Sequence, residues 1–572
     1  MLDPDEQRLF ELLSVFSGAT FEAVEEVASR VKGLEQIDVV DGLCSLVDKS
    51  LIRRTDHDDG GSRLLMLETL REFATARLDE DPELGAAARR AHAAHFADWT
   101  KHQWDRLTGD EREAASKQMV GDLDNIRTAW SYWVAERNFE QLGKFTDSLW
   151  LLYDTRGWYH ATVSLATDLL ELLSSTPSTP ERVLQQITLQ TSLARVLLTL
   201  KGYTQEVEDA FTRALELCEG EGEVPQLLPV LRGLSTFYIY RADFEKGART
   251  GEQILSLAER YDDENARVEG HLVIGASLAM VERLQDGMEH LEEGIAAYDP
   301  VRHGLGRFQL GNNAGVACLT TSALVLWMLG FPDRAADRGN EAIDPSKRLR
   351  HPPTMAYAHF HAGLVHLWKR EEERAHMCAQ AVLHIAEEHE FQVWRAVGSC
   401  LRGAALAGMG SADEGLALIE DAMNDYQRLN TPPVFWPSLL HLQAGVCGLA
   451  GRPADGLPLL DEAVEIATQG TGQTLWSEFF QLKGDLLLAV SRDKAAEAES
   501  WFQRALDTAT EVEAPMMRLR AALRLGRLWH EQGKSEEAQR LLSDAYEGFT
   551  EGFSTADLRE ARALLDELGA PA

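Results

Sequence analysis

The sequence predicts an all-α protein, a superhelix of helical hairpins with a small winged-helix domain at its N-terminus. Three observations predict it. Turn markers recur at Gly202, Ala242, Glu282, Gly330, Arg370, Gly410, Gly451, Asp493 and Gly533, in steps of 40, 40, 48, 40, 40, 41, 42 and 40 residues. A period in this range belongs to a solenoid, whose units bury a face against their neighbours. Small residues stand at fixed offsets from each marker. Finally, the first 80 residues carry a different pattern, three helical stretches followed by a hairpin.

The small residues define the kind of hairpin. Five positions after the markers come Val207, Gly247, Gly287, Ala335, Ala375, Gly415, Gly456, Ala498 and Ala538. Seven before them stand Ser235, Gly275, Ala323, Gly363, Gly403, Ala444 and Gly526. Glycine costs a helix about 1 kcal/mol relative to alanine, so such columns need a reason. Close crossing of two antiparallel helices supplies one. The pattern resembles the tetratricopeptide repeat, stretched beyond its usual period of about 34 residues, and implies a right-handed superhelix. HEAT-type repeats share the longer period but do not require the column of small residues.

At the N-terminus, Leu9, Leu12, Leu13 and Phe16 mark a helix that stops at Gly18. Thr20 is placed to cap a second helix. Val39, Val40, Leu43, Leu46 and Val47 mark a third. Residues 51–55 and 63–67 read as strands joined through Asp58-Asp59-Gly60-Gly61. This winged-helix pattern usually points to DNA, with the third helix in the major groove. Here that helix sets Asp38, Asp41 and Asp48 against a single Lys49. The wing surrounds Arg53, Arg54 and Arg63 with Asp56, Asp58 and Asp59. Phosphate contacts supply most DNA affinity, and this surface offers few. A protein-contact role is the better expectation.

Residues 68–180 are helical and hold Trp99, Trp104, Trp130, Trp133, Trp150 and Trp158, enough for a substantial core. The Ser174–Pro180 stretch, rich in Ser, Thr and Pro, breaks the helices. Near the end, Ser554 and Asp557 have capping-box spacing before a last helix. The expected division is a winged helix over 1–80, a helical arm over 81–180, the repeat array over 181–553 and a capping helix over 554–572.

Composition narrows the function. Fifty-six basic side chains face ninety-two acidic ones, a formal charge of −36. That balance disfavours nucleic acid as a partner. No run of about 18 apolar residues suits a membrane span, and no signal core follows the acidic start. The six cysteines form no C-x-x-C pair and read as small buried residues in a reducing compartment. A cytoplasmic protein is expected.

Several segments resemble a known family. Leu46-Val47-Asp48-Lys49-Ser50-Leu51-Ile52 and Met66-Leu67-Glu68-Thr69-Leu70-Arg71-Glu72-Phe73-Ala74 resemble the winged helix of bacterial STAND-type signal-transduction ATPases. Asp122-Leu123-Asp124-Asn125-Ile126-Arg127-Thr128-Ala129-Trp130 resembles the segment that follows it there. Tyr298-Asp299-Pro300, Gly315–Leu319 and Tyr546–Phe553 resemble the repeat arrays of adenylate-cyclase and transcription-regulator relatives. The resemblance implies a sensor arm that regulates an ATPase or effector, in the same chain or in a partner. The chain departs from the family in having no G-x-x-x-x-G-K-[ST] loop, so the ATPase activity is not carried over. Gly533-Lys534-Ser535 lacks the required glycine and occupies a repeat turn.

Candidate binding residues fall in three places. The 48-residue step inserts residues 302–315, where His303, Arg307, Asn312 and Asn313 would grip a ligand or peptide. Trp394, Trp436 and Trp476 recur near the starts of successive first helices, as a strip for a partner or as packing between repeats. Tyr238, Tyr240 and Arg241 carry the same two readings. No H-E-x-x-H, G-x-S-x-G or catalytic cysteine pattern occurs, and the histidine spacings (His92/His95, His359/His361/His366, His384/His389) complete no metal set. The expectation is a non-enzymatic module without cofactor that binds a protein, a peptide or a small inducer. The alternatives are a DNA-binding regulator and the C-terminal part of a larger ATPase–cyclase.

Overall fold

The computed structural model describes residues 2–56, 62–109, 111–156, 158–221, 226–281, 283–300, 312–349, 351–429, 433–469 and 476–569. It divides into two compact units, Met1–Val196 and Leu197–Ala572.

The first unit begins with α1 (Pro4–Leu13), α2 (Phe21–Ser29) and α3 (Val39–Asp48). Each has a side-chain cap. Asp3 and Glu6 form a reciprocal capping box on α1, Thr20 accepts the N–H of Ala23, and Asp38 accepts that of Asp41. Strands β1 (Ile52–Asp56) and β2 (Ser62–Met66) pair antiparallel, Ile52 opposite Met66. Gly18, at φ 96°, turns the chain so that Ala19 pairs with Leu64 as a third, single-residue rung. Leu9, Leu12, Leu46 and Ile52 fill the core between them.

The next helices are α4 (Glu68–Leu78), α5 (Pro82–Thr108), α6 (Arg112–Gly121), α7 (Leu123–Ala135), α8 (Phe139–Arg156), α9 (Tyr159–Ser174) and α10 (Pro180–Lys201). The break between α9 and α10 falls on the Ser/Thr/Pro stretch. Trp130 and Trp133 are buried, and the Trp133 indole donates to Ala93 O at 3.0 Å.

The second unit is a run of antiparallel hairpins. Its helices are α11 (Gln205–Glu221), α12 (Leu227–Tyr240), α13 (Phe244–Tyr261), α14 (Glu264–Met280), α15 (Leu284–Ala297), α16 (Ala314–Met328), α17 (Pro332–Glu341) and α18 (Ile343–Arg348). Then come α19 (Pro352–Trp368), α20 (Glu372–Glu388), α21 (Gln392–Gly408), α22 (Ala412–Gln427), α23 (Trp436–Leu449) and α24 (Pro453–Gln469). The last are α25 (Trp476–Val490), α26 (Ala495–Glu511), α27 (Pro515–Glu531), α28 (Ser535–Tyr546) and α29 (Ala556–Gly569).

The periodic markers have a backbone cause. Gly202, Ala242, Gly330, Arg370, Gly410, Gly451 and Gly533 all take positive φ and reverse the chain after a first helix. Asp493 instead lies in a short 3₁₀ turn, and Glu282 lies outside the described residues. The small columns meet across each hairpin. A Cβ on Gly287 would stand 2.8 Å from Gly275 O, and one on Gly456 2.9 Å from Ala444 O. Larger side chains there would force the helices apart.

The array also touches itself at a distance. Tyr240, beside the marker Ala242, packs on Phe435, which precedes the helix ending at Gly451. Counting markers 242, 282, 330, 370, 410 and 451, that contact spans five steps. Helix α16, which ends at Gly330, touches α27, which ends at Gly533, again five steps on. One turn of the array therefore takes about five hairpins.

Candidate functional site

Two places concentrate chemistry. The first is the interior of the array, where successive turns meet. Tyr203 packs against Tyr240 at 5.8 Å between ring centroids, Tyr240 against Phe435 at 6.1 Å, and Phe435 against Phe360 at 6.3 Å. Phe360 then meets Trp394 at 5.9 Å, and Trp394 meets Tyr357 at 6.1 Å. Trp436 stacks on the buried Tyr426 at 5.9 Å and donates its indole N–H to Glu462 at 2.9 Å. Burial pushes the Tyr203 and Tyr240 hydroxyls well up and raises that of Tyr357, so they stay protonated hydrogen-bonding groups.

Beyond this seam the interior turns polar. Arg520 pairs with Glu478 at 2.9 Å and lies over the Trp327 ring at 5.4 Å. Arg524 bonds Asp485 at 2.6 Å and Gln481 at 3.1 Å. Nearby His441 is pushed down to about 4 by burial, with the charges of Arg520 and Arg524 adding to the effect.

The candidate residues read from sequence separate into groups. Tyr240, Trp394 and Trp436 join this aromatic region, each already packed against a neighbour. Trp476 stands apart against Phe480, its indole nitrogen buried and without a hydrogen-bond partner among the described residues. Tyr238 lies under the Lys246 ammonium at 5.0 Å, and burial raises its hydroxyl to about 12. Arg241 is exposed and donates to Tyr203 O at 3.4 Å. Asn313 is buried as the cap of α16, accepting the N–H of Val316 at 3.1 Å. Asn312 precedes it, half-buried. His303 and Arg307 lie outside the described residues.

The second place is a cleft of about 800 Å³ in the first unit, beside the winged helix. Val40, Leu43 and Val47 of α3 face it together with Phe96 and Trp99 of α5. His95 lines it and is shifted down, chiefly by burial and then by the Arg30 charge. On its wall Arg63 makes a bidentate bridge to Asp122, both bonds 2.7 Å, with each side chain buried. Asn125 completes the lock. It donates to Gly18 O at 2.8 Å and to Asp122 at 3.1 Å, and accepts the N–H of Ser17 at 2.8 Å. The Asp122–Trp130 segment thus clamps α7 onto the winged helix.

This corrects the charge count made from sequence. Arg63 is not a surface cation of the wing; Asp122 uses it. Lys49 is engaged as well, bonding Glu6 at 2.5 and 2.6 Å. Arg53 and Arg54 remain exposed on β1. The wing residues 57–61 lie outside the described residues.

Sequence reasoning missed one group, His271, His290 and Glu293, which come together from α14 and α15. Only the His290-x-x-Glu293 spacing hinted at it. Three of the histidines in the spacings read from sequence are occupied locally. His92 reaches Asn125 at 3.4 Å, His361 the carbonyl of Tyr357 at 2.8 Å, and His366 Glu371 at 2.6 Å.

Residues 2–79 match the family model described as a winged helix-turn-helix domain. The N-terminal unit begins with a winged helix. Over 132 residues the chain is 28% identical to proteins provisionally named as HTH-type transcriptional regulators from Mycobacterium bovis and Mycobacterium tuberculosis. That match covers 23% of this chain and only 14% of those proteins' length. Among solved structures, a Rap protein complexed with Competence and Sporulation Factor is similar at 13% identity and a TM-score of 0.42. It matches 67% of this chain and 98% of its own. A STAND protein with a tetratricopeptide-repeat sensor from Pyrococcus horikoshii is similar at 14% identity and a TM-score of 0.38, over 78% of this chain and 66% of its own. NprR with its cognate peptide NprX is similar at 10% identity and a TM-score of 0.41, over 61% and 98%. Among the described residues no helix is long and apolar enough to cross a membrane.

Proposed function

We propose that the chain is a non-catalytic sensor module. The repeat array binds a protein, peptide or small inducer, and the winged-helix unit passes the signal to a STAND-type ATPase or its effector, in cis or in trans. The contact between turns of the array, Tyr240 on Phe435, carries the reading. A switch needs an element with two arrangements that a ligand favours unequally. A solenoid whose turns meet through aromatic contacts of this kind is such an element, because a ligand entering between turns exchanges those contacts for its own. The engaged cations of the winged helix support a protein contact as its output.

A peptide array probed with the whole chain tests this. Peptides bound by the wild type and lost by Tyr240→Ala and Trp394→Ala variants of unchanged helicity support it. Binding that survives both substitutions places the signal elsewhere and overturns it.

The second reading, a DNA-binding regulator, is favoured by the exposed Arg53 and Arg54 and by the winged-helix match. It requires a duplex complex that weakens steeply with salt and is lost in Arg53→Glu/Arg54→Glu.

A further inference from the structure

Helices α14 and α15 form one hairpin, and across it three potential ligand atoms converge. His271 Nδ1 lies 3.1 Å from His290 Nδ1 and 3.1 Å from Glu293 Oε2. The ligand atoms of the three residues all lie within 4.8 Å of one another. His290 and Glu293 are one turn apart on α15, so both reach the same side. His271 is 7% exposed, while the Glu293 side chain is 65% exposed.

Protons alone satisfy this group poorly. A ring nitrogen carries either one hydrogen or one lone pair. If His271 Nδ1 donates to Glu293, the facing His290 nitrogen meets an N–H already used. If it accepts from His290, its lone pair faces the carboxylate oxygen at 3.1 Å. A cation at the shared point satisfies all three.

Two of the three spacings suit one. Zinc bonds of about 2.0–2.2 Å to nitrogen and oxygen give tetrahedral edges of about 3.3–3.5 Å. The two observed edges are a few tenths of an ångström shorter. Two imidazoles and a carboxylate with positions left for water form a donor set suited to late first-row metals. The Arg267 charge opposes a cation there but is near Asp262 at 3.9 Å, and Glu259 favours one.

We propose that His271, His290 and Glu293 bind a late first-row divalent cation, with zinc as the reference ion. The ion would clip together the two helices of a single repeat, just before the inserted loop. None of the sequence spacings revealed it because the two histidines come from different helices, 19 residues apart.

Cobalt(II) titration of the full chain, followed by zinc displacement, tests the site. The expected result is one equivalent bound more tightly than about 10 µM, with visible ligand-field bands that zinc abolishes. The chain has 17 histidines, so the variants decide. His271→Ala and His290→Ala should each weaken that equivalent at least about 100-fold, while His384→Ala leaves it unchanged. Should His271→Ala fail to fold by circular dichroism, His290→Ala and Glu293→Gln probe the same site from the exposed side. Absence of saturable binding in the wild type overturns the proposal, as does equal affinity in the ligand variants.

Discussion

Glu551 caps α17 through Asp333, its carboxylate accepting the Asp333 N–H at 2.9 Å across 218 residues of sequence. The same oxygen accepts the N–H of Arg334 at 2.9 Å, and Asp333 in return accepts the N–H of Gly552 at 2.9 Å. Arg370 extends the junction by bonding Asp557 at 3.0 Å and Glu560. Around these polar contacts, Phe549 and Pro515 close on Gly330. The last hairpins are thereby fastened to those in the middle of the array.

Removing that cap should loosen both ends of the junction together. Glu551→Ala is expected to cost about 1 kcal/mol, the usual value of a helix cap. Hydrogen exchange should quicken at the start of α17 and in residues 549–556 alike. Protection lost on one side only would show that the two segments are not coupled.

The Arg63–Asp122 bridge should matter more. Either Arg63→Ala or Asp122→Ala leaves a buried charge alone, expected to cost about 3–5 kcal/mol. Replacing both, as Arg63→Met with Asp122→Leu, should restore much of the loss. Urea unfolding of the four proteins measures this, and simple additivity of the single losses would contradict it.

Acid should weaken the protein before its carboxylates protonate. Burial holds His92 and His361 down to about 4, against an ordinary value of 6.5. Between those values the unfolded chain binds protons that the folded chain refuses. Stability therefore falls as pH drops through this window, by about 1.4 kcal/mol per unit for each histidine. Unfolding free energies of the wild type and His361→Gln at several pH values check the slope, which the substitution should reduce.

Glu6 behaves in the opposite sense. Hydrogen bonds from Lys49 and Ser45 hold its carboxyl down to about 2. Its contribution is present above about 4.5 and disappears as pH falls toward about 2. Carboxyl chemical shifts in a pH titration should place Glu6 low, and Lys49→Met should move it back toward the ordinary range.

Local patterns were legible in sequence. The strand positions agree to within one residue, because alternation and turn residues are local signals. The hairpins were legible because left-handed residues such as Gly410 and crossing pairs such as Gly275 and Gly287 recur at fixed offsets. What sequence could not show is where a distant partner lies. Arg63 counts as a wing cation until the fold of the first unit places Asp122 beside it. Tyr240 reads equally as a groove residue or as packing until Phe435 is placed against it. Ser554 and Asp557 have the spacing of a capping box, yet Asp557 is buried against Arg370, and Thr555 Oγ1 bonds the Gly552 carbonyl at 2.6 Å instead. The last two depend on the five-hairpin turn, which no short stretch of sequence encodes.

That fastening has a consequence for how the protein can change over time. An open solenoid gains or loses units freely, since each touches only its neighbours. Here an extra unit of about 40 residues between residues 341 and 515 would carry Glu551 out of reach of Asp333. Duplication, a ready means by which repeat proteins vary, would thus unlock the junction, which ties this stretch to its present number of hairpins.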